Sequence, residues 1–135
     1  MKVSDKEKQL VVLLVENDKT LAEVVRECLM LQSSLFVEIA LSCDDAFKMM
    51  EKIKPDVIVS SLQMRKDPFI FLKELRERGN VTPFIALIAD DQNDLALEAI
   101  QLGANGSAKK FGDPSIIYPQ LKRLIMSLTK PFDNE

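Results

Sequence analysis

The sequence predicts an α/β protein in three α/β/α layers, built on a doubly wound five-stranded parallel sheet. Three observations carry this. Short apolar runs rich in β-branched residues recur at Leu10–Val15, Val57–Val59 and Phe84–Ile88. Segments whose apolar residues repeat at helical spacing separate them. Strand and helix then alternate along the chain, which calls for a parallel sheet with helices on both faces.

Residues 1–9 read as a polar lead-in, 10–128 as the domain and 129–135 as a short polar tail. The first strand, Leu10–Val15, is apolar throughout, as a strand buried on both faces should be. Glu16-Asn17-Asp18 closes it, and Asp18 is placed to cap the next helix. In that helix Leu21, Val24, Val25, Cys28 and Leu29 share one face, opposite Glu23, Arg26 and Glu27.

Leu35–Leu41 is the second strand. Ser42-Cys43-Asp44-Asp45 resembles a capping box and leads into Ala46, Phe47, Met50 and Ile53 as an inner helix face. The third strand follows the Pro55-Asp56 turn and ends at Ser60-Ser61. Phe69, Leu72 and Leu75 mark a helix that ends at Gly79.

Thr82-Pro83 introduces the fourth strand, Phe84–Ile88. Asp90, Asp91 and Asp94 read as the acidic start of the fourth helix, where negative charge suits the positive dipole end. Leu95, Ala96, Ala99 and Ile100 form its inner face, ending at Gly103. Gly106–Lys110 would be a poor strand by itself, and only the alternation argues for it. The last helix runs from Pro114 through Ile117, Leu121, Leu124, Ile125 and Leu128, with a kink or late start expected at Pro119.

Composition excludes several functions. At 135 residues with a formal net charge of −3, the chain is one domain's worth with no basic excess to suggest nucleic acid. No apolar run approaches a membrane span, and the charged N-terminus lacks a signal-peptide core. Cys28 and Cys43 form no paired motif and there is no histidine, which rules out a zinc site and Ser-His or Cys-His catalysis. A cytoplasmic, reducing compartment is expected.

In a doubly wound sheet the carboxyl ends of the strands converge on a switch point where ligands bind. That brings together Glu16, Asn17 and Asp18, then Ser61, Ile88 and Lys110. A phosphate-cradling turn needs glycine after the first strand; Val15-Glu16-Asn17-Asp18-Lys19-Thr20 has none, and its acids repel phosphate. Nucleotide and flavin binding are set aside.

Leu13–Asp18, Pro55–Val59, Thr82–Leu87, and Gly103-Ala104 with Lys110 fall in an order and spacing that resembles the receiver domains of response regulators, over about residues 10–128. The resemblance implies a flavodoxin-like (βα)5 fold. It also implies an aspartate after strand three that takes a phosphoryl group from a histidine kinase. Two acids after strand one hold Mg²⁺ in that family, a Thr or Ser follows strand four, and a lysine follows strand five. Against that pattern the acceptor position falls on Ser61, the acidic pair on Glu16-Asn17, the hydroxyl position on Ile88 and the aromatic position on Ser107; Lys110 is unchanged. Phe111 replaces the usual proline, and the loop Met64–Pro68 is about one residue short of the family's usual length.

A serine hydroxyl cannot form an acyl phosphate, and Mg²⁺ binds mainly through carboxylates. The resemblance therefore implies a degenerate receiver with Mg²⁺ binding weak or lost and no other cofactor. No metal site is expected, Glu16 and Asp18 being the residual candidates. Asp18 is open to two readings, helix cap or cation ligand. Asp67 replaces a missing acid only if its loop folds inward. A Glu16–Lys110 ion pair across the site, if formed, would be partly exposed and worth about 1 kcal/mol or less. Cys28 and Cys43 read as structural, and Met49, Met50 and Met64 as gap fillers.

The expected function is a non-enzymatic signalling module of a two-component phosphorelay, working by protein interaction. The resemblance places its output face on the fourth helix, fifth strand and fifth helix. Lys109, Lys110, Phe111, Tyr118, Lys122 and Arg123 lie there, facing a histidine kinase, an output protein or a second copy. A small-molecule sensor using the vacated pocket is the alternative of another class. An enzyme on this fold lacks a base paired with a nucleophile and ranks last.

Overall fold

Three apolar runs form the middle of the sheet because no other segments can be buried on both faces. In the computed structural model, which describes residues 9–31, 34–89 and 92–129, they are β1 (Leu10–Val15), β3 (Val57–Ser61) and β4 (Phe84–Ile88). With β2 (Leu35–Ala40) and β5 (Gly106–Lys109) they make one parallel five-stranded sheet in the order β2-β1-β3-β4-β5. The expected lead-in up to Lys8, the tail from Lys130 and the pair Asp90-Asp91 lie outside the described residues.

Five helices follow the strands: α1 (Lys19–Met30), α2 (Cys43–Met50), α3 (Ile70–Glu77), α4 (Asn93–Gln101) and α5 (Pro114–Thr129). Alternate strand residues point to opposite faces, so the core divides in two. Leu13, Val15, Ile58, Phe84 and Ala86 pack under α2, α3 and α4. Val12, Leu14, Val57, Val59 and Ile85 pack under α1 and α5. This is the predicted three-layer (βα)5 architecture.

The helix ends follow local chemistry. Asp18 Oδ1 accepts the Leu21 N–H at 3.1 Å, and Ser42 Oγ accepts the Asp45 N–H at 3.0 Å, capping α1 and α2. Both α3 and α4 end on a glycine at positive φ, Gly79 at 81° and Gly103 at 113°. The Asn80 N–H bonds to Leu75 O and the Ala104 N–H to Ala99 O, each closing a last turn that only a left-handed residue permits. The late start expected at Pro119 does not occur. Asp113 Oδ1 accepts both the N–H and the hydroxyl of Ser115, so α5 begins at Pro114 and continues through the proline.

β5 carries little apolar surface and is held from both ends instead. At its start, Arg76 on α3 uses all five of its N–H donors. Nε and Nη2 donate to Gly103 O, Nη2 also to Asn105 Oδ1, and Nη1 to the carbonyls of Asn80 and Thr82, at 2.7–3.2 Å. Burial pushes the guanidinium pKa down. Asn105 Oδ1 in turn accepts the Phe84 N–H at 2.9 Å, joining this hub to β4. At the far end of β5 the Lys110 N–H donates to Ile88 O at 2.8 Å.

Candidate functional site

The carboxyl ends of β1, β3 and β5 deliver three polar side chains to one point. Glu16 leaves β1 with its backbone N–H bonded to Ala40 O, and its side chain turns inward to 1 % exposure. Ser61 ends β3 and is buried. Lys110, fixed against β4 by its own N–H, sends its side chain back across the sheet. Its Nζ donates to Ser61 Oγ at 2.7 Å and lies 3.1 Å from Glu16 Oε1.

Glu16 uses its two oxygens differently. Oε2 accepts the Asp18 N–H at 2.8 Å. Oε1 is buried and accepts no hydrogen bond of sound geometry from any described group, so the ammonium serves it as a charge. Only 11 % of the Lys110 side chain is exposed. The expectation of a partly exposed pair is therefore corrected: β1, β3 and β5 pack around it, and the rule for buried charges applies, under which losing one partner strands the other.

The remaining predicted positions surround this point without joining it. Asn17 is exposed. Asp18 is exposed and its carboxylate caps α1. Ile88 is 6 % exposed and belongs to the core beneath α4. Ser107 is exposed on β5, with Ala86 opposite it on β4. Asp67 does not turn inward. It accepts the Phe69 N–H at 2.9 Å and meets Lys73 Nζ at 3.3 Å, and the Phe69 N–H in particular holds its carboxyl pKa below the ordinary value.

Two members of the expected interaction face are not available there. Tyr118 is 8 % exposed, because α5 turns Ile117, Tyr118, Leu121 and Ile125 toward the sheet, and that burial raises the phenol pKa. Lys110 is spent inside the site. Lys109, Phe111 and Arg123 are exposed and Lys122 is half-buried; on α4 the apolar Leu97 and Ile100 join them at the surface. Cys43, the first residue of α2, is buried and its thiol pKa is raised by that burial, which suits a structural thiol better than a reactive one.

Sequence reasoning missed Arg76. A basic residue in the last turn of a helix is a weak sign of carbonyl binding, and nothing local foretells acceptors 27 and 29 residues away.

A parallel sheet in this order, with its polar groups gathered at the carboxyl ends of β1, β3 and β5, defines a receiver-type signalling domain. The profile of the response regulator receiver domain matches residues 12–121, and the chain belongs to that family. Among curated proteins it is similar to the "Probable transcriptional regulator ycf29" of Porphyra purpurea, 32 % identical over 116 residues. That match takes in 84 % of this chain and 55 % of the relative, so the chain spans about half of the relative's length. Among solved structures, the receiver domain of the Francisella response regulator 1452 superposes with a TM-score of 0.78 at 24 % identity, covering 90 % of this chain and 98 % of that one. The chemotaxis response regulator CheY4 of Vibrio cholerae gives 0.74 at 24 % identity, covering 87 % and 99 %. Among the described residues no helix is long and apolar enough to cross a membrane.

Proposed function

We propose that this receiver domain does not take a phosphoryl group on aspartate and signals through protein contact in a fixed conformation. The observation that carries the reading is the Lys110–Ser61 hydrogen bond of 2.7 Å beside the buried Glu16. Where the family places a carboxylate nucleophile, this chain has a hydroxyl already engaged by the lysine. Hard-cation binding favours several carboxylates. The one carboxylate inside this site faces an ammonium, and Asp18 is committed to its helix, so these residues do not fit Mg²⁺. Ile88 adds bulk where the family has a hydroxyl to couple the site to the output face.

The partner surface in this reading is α4, β5 and α5, which carry Leu97 and Ile100, Phe111 after β5, and Lys109, Lys122 and Arg123. A histidine kinase or an output protein is the partner class. A sensor using the pocket would have to displace Lys110 from both of its partners, which disfavours that reading.

Incubation with acetyl phosphate, or with beryllofluoride, in the presence of Mg²⁺ tests the proposal. Intact mass and the fluorine spectrum should not change. A phosphoryl mass gain or a stoichiometric fluoride complex would overturn it.

A further inference from the structure

The two edges of the sheet are built differently. β5 is four residues long and carries Lys109, a short, charged edge of the kind that resists pairing. β2, Leu-Phe-Val-Glu-Ile-Ala, is as long as any strand in the sheet, with no proline, no lysine and one charge. Its hydrogen-bonding phase is fixed by its ends: Leu10 N–H donates to Ser34 O, and Glu16 N–H to Ala40 O. Even-numbered residues of β2 therefore bond inward to β1. Leu35, Val37 and Ile39 present their N–H and C=O groups to the open edge, beyond which no described strand lies.

Beside that edge runs an open groove of ≈ 530 Å³. Arg26, Glu27, Met30 and Leu31 of α1 and its C-terminus line one wall, with Phe36 and Glu38 of β2 on the other. Leu31 is 82 % exposed, Phe36 39 % and Met30 37 %, a cluster of apolar surface beside this edge.

We infer that this edge is an interface for a second copy of the chain, in which two β2 strands pair antiparallel about a two-fold axis near Val37. Charge complementarity selects a second copy as the occupant. An isologous interface sets residue i against j and j against i, and Arg26 and Glu27, of opposite charge, both line the groove together with Val37. Across the axis each Arg26 meets the other copy's Glu27, twice over. The antiparallel pairing satisfies the open N–H and C=O groups, continues the sheet into a second domain and covers Phe36 and Leu31. This self-contact is separate from the α4–β5–α5 partner surface and does not depend on the phosphorylation state.

Sedimentation velocity and light scattering on the full chain across a concentration series provide the test. A monomer–dimer equilibrium is expected. Leu31→Glu and Phe36→Lys, both at exposed positions, should weaken it by about tenfold or more. Arg26→Glu and Glu27→Arg should each weaken it, and the double exchange should restore it, because the pair remains self-complementary when swapped. Circular dichroism on each variant separates dimer loss from misfolding. A chain that stays monomeric throughout, or a dimer indifferent to these changes but broken by Leu97→Glu on α4, would overturn the inference.

Discussion

Lys110 Nζ donates a 2.7 Å hydrogen bond to Ser61 Oγ from the far side of the sheet, and among the described residues the same ammonium is the charge paired with the buried Glu16 Oε1. Removing the cation leaves a carboxylate without compensation in the core. Lys110→Met should cost about 3–5 kcal/mol in urea unfolding. Lys110→Met combined with Glu16→Gln should recover most of that loss, since the amide still accepts the Asp18 N–H. Equal losses in the single and double variants would show that the pair is not coupled.

Arg76→Lys keeps a positive charge and loses the planar fork that makes five hydrogen bonds to four acceptors. A loss of about 2 kcal/mol is expected from hydrogen bonds to a charged donor that lysine cannot reproduce. Amide exchange should quicken at Asn105 and along β5 before it does in β1. Uniform loosening of the sheet would argue against a local hub.

Gly79 and Gly103 both sit at positive φ but differ in what surrounds them. A Cβ at Gly79 meets nothing within 4 Å, whereas one at Gly103 falls 3.1 Å from Arg76 Nε and 3.2 Å from its Cγ. Gly79→Ala should cost about 1–2 kcal/mol for its backbone conformation alone. Gly103→Ala should cost more and should lose its excess in an Arg76→Ala background. Thermal melts of the four proteins read this directly.

Asp67, half-buried, and Asp113, exposed, have carboxyl pKa values below the ordinary 3.8, Asp67 chiefly through the Phe69 N–H and Asp113 through the Ser115 hydroxyl and N–H. A depressed folded-state pKa contributes stability that is present above the unfolded value and is lost as pH falls through the folded one. Melting temperature should therefore drop as the protein is acidified below the ordinary carboxylate range. Asp67→Asn should lower stability at neutral pH and flatten part of that drop. A pH profile parallel to wild type would rule out Asp67 as a contributor.

How much of this was legible depended on what each residue's neighbours had to be. β1 and β4 emerged with their observed limits because fully buried strands must be apolar throughout, and β3 emerged between the Pro55-Asp56 turn and its two closing serines. β5 has no such signal and was recoverable only from the alternation of units. Register then predicted that Glu16, Ser61 and Lys110 would meet. Their burial was not predictable, because it depends on how far Lys110 reaches back across the sheet. Tyr118 was misplaced because Ile116, Ile117, Leu121, Leu124, Ile125 and Leu128 spread around α5 too broadly to fix its rotation. Arg76 and the β2 edge stayed hidden for a shared reason. Both are defined by backbone groups of distant segments, which the identities of residues nearby do not encode.

The strand with the least apolar surface is tied at one end by Arg76 and at the other by Lys110, and both ties join parts of the chain far apart in sequence, 49 residues in the case of Lys110 and Ser61. Contacts of that span carry a large closure cost and reward the chain only once the intervening units are in place. β5 should then be the last strand to dock and the first to leave. Weakening either tie would shorten the lifetime of the native state while leaving the rate of folding nearly unchanged.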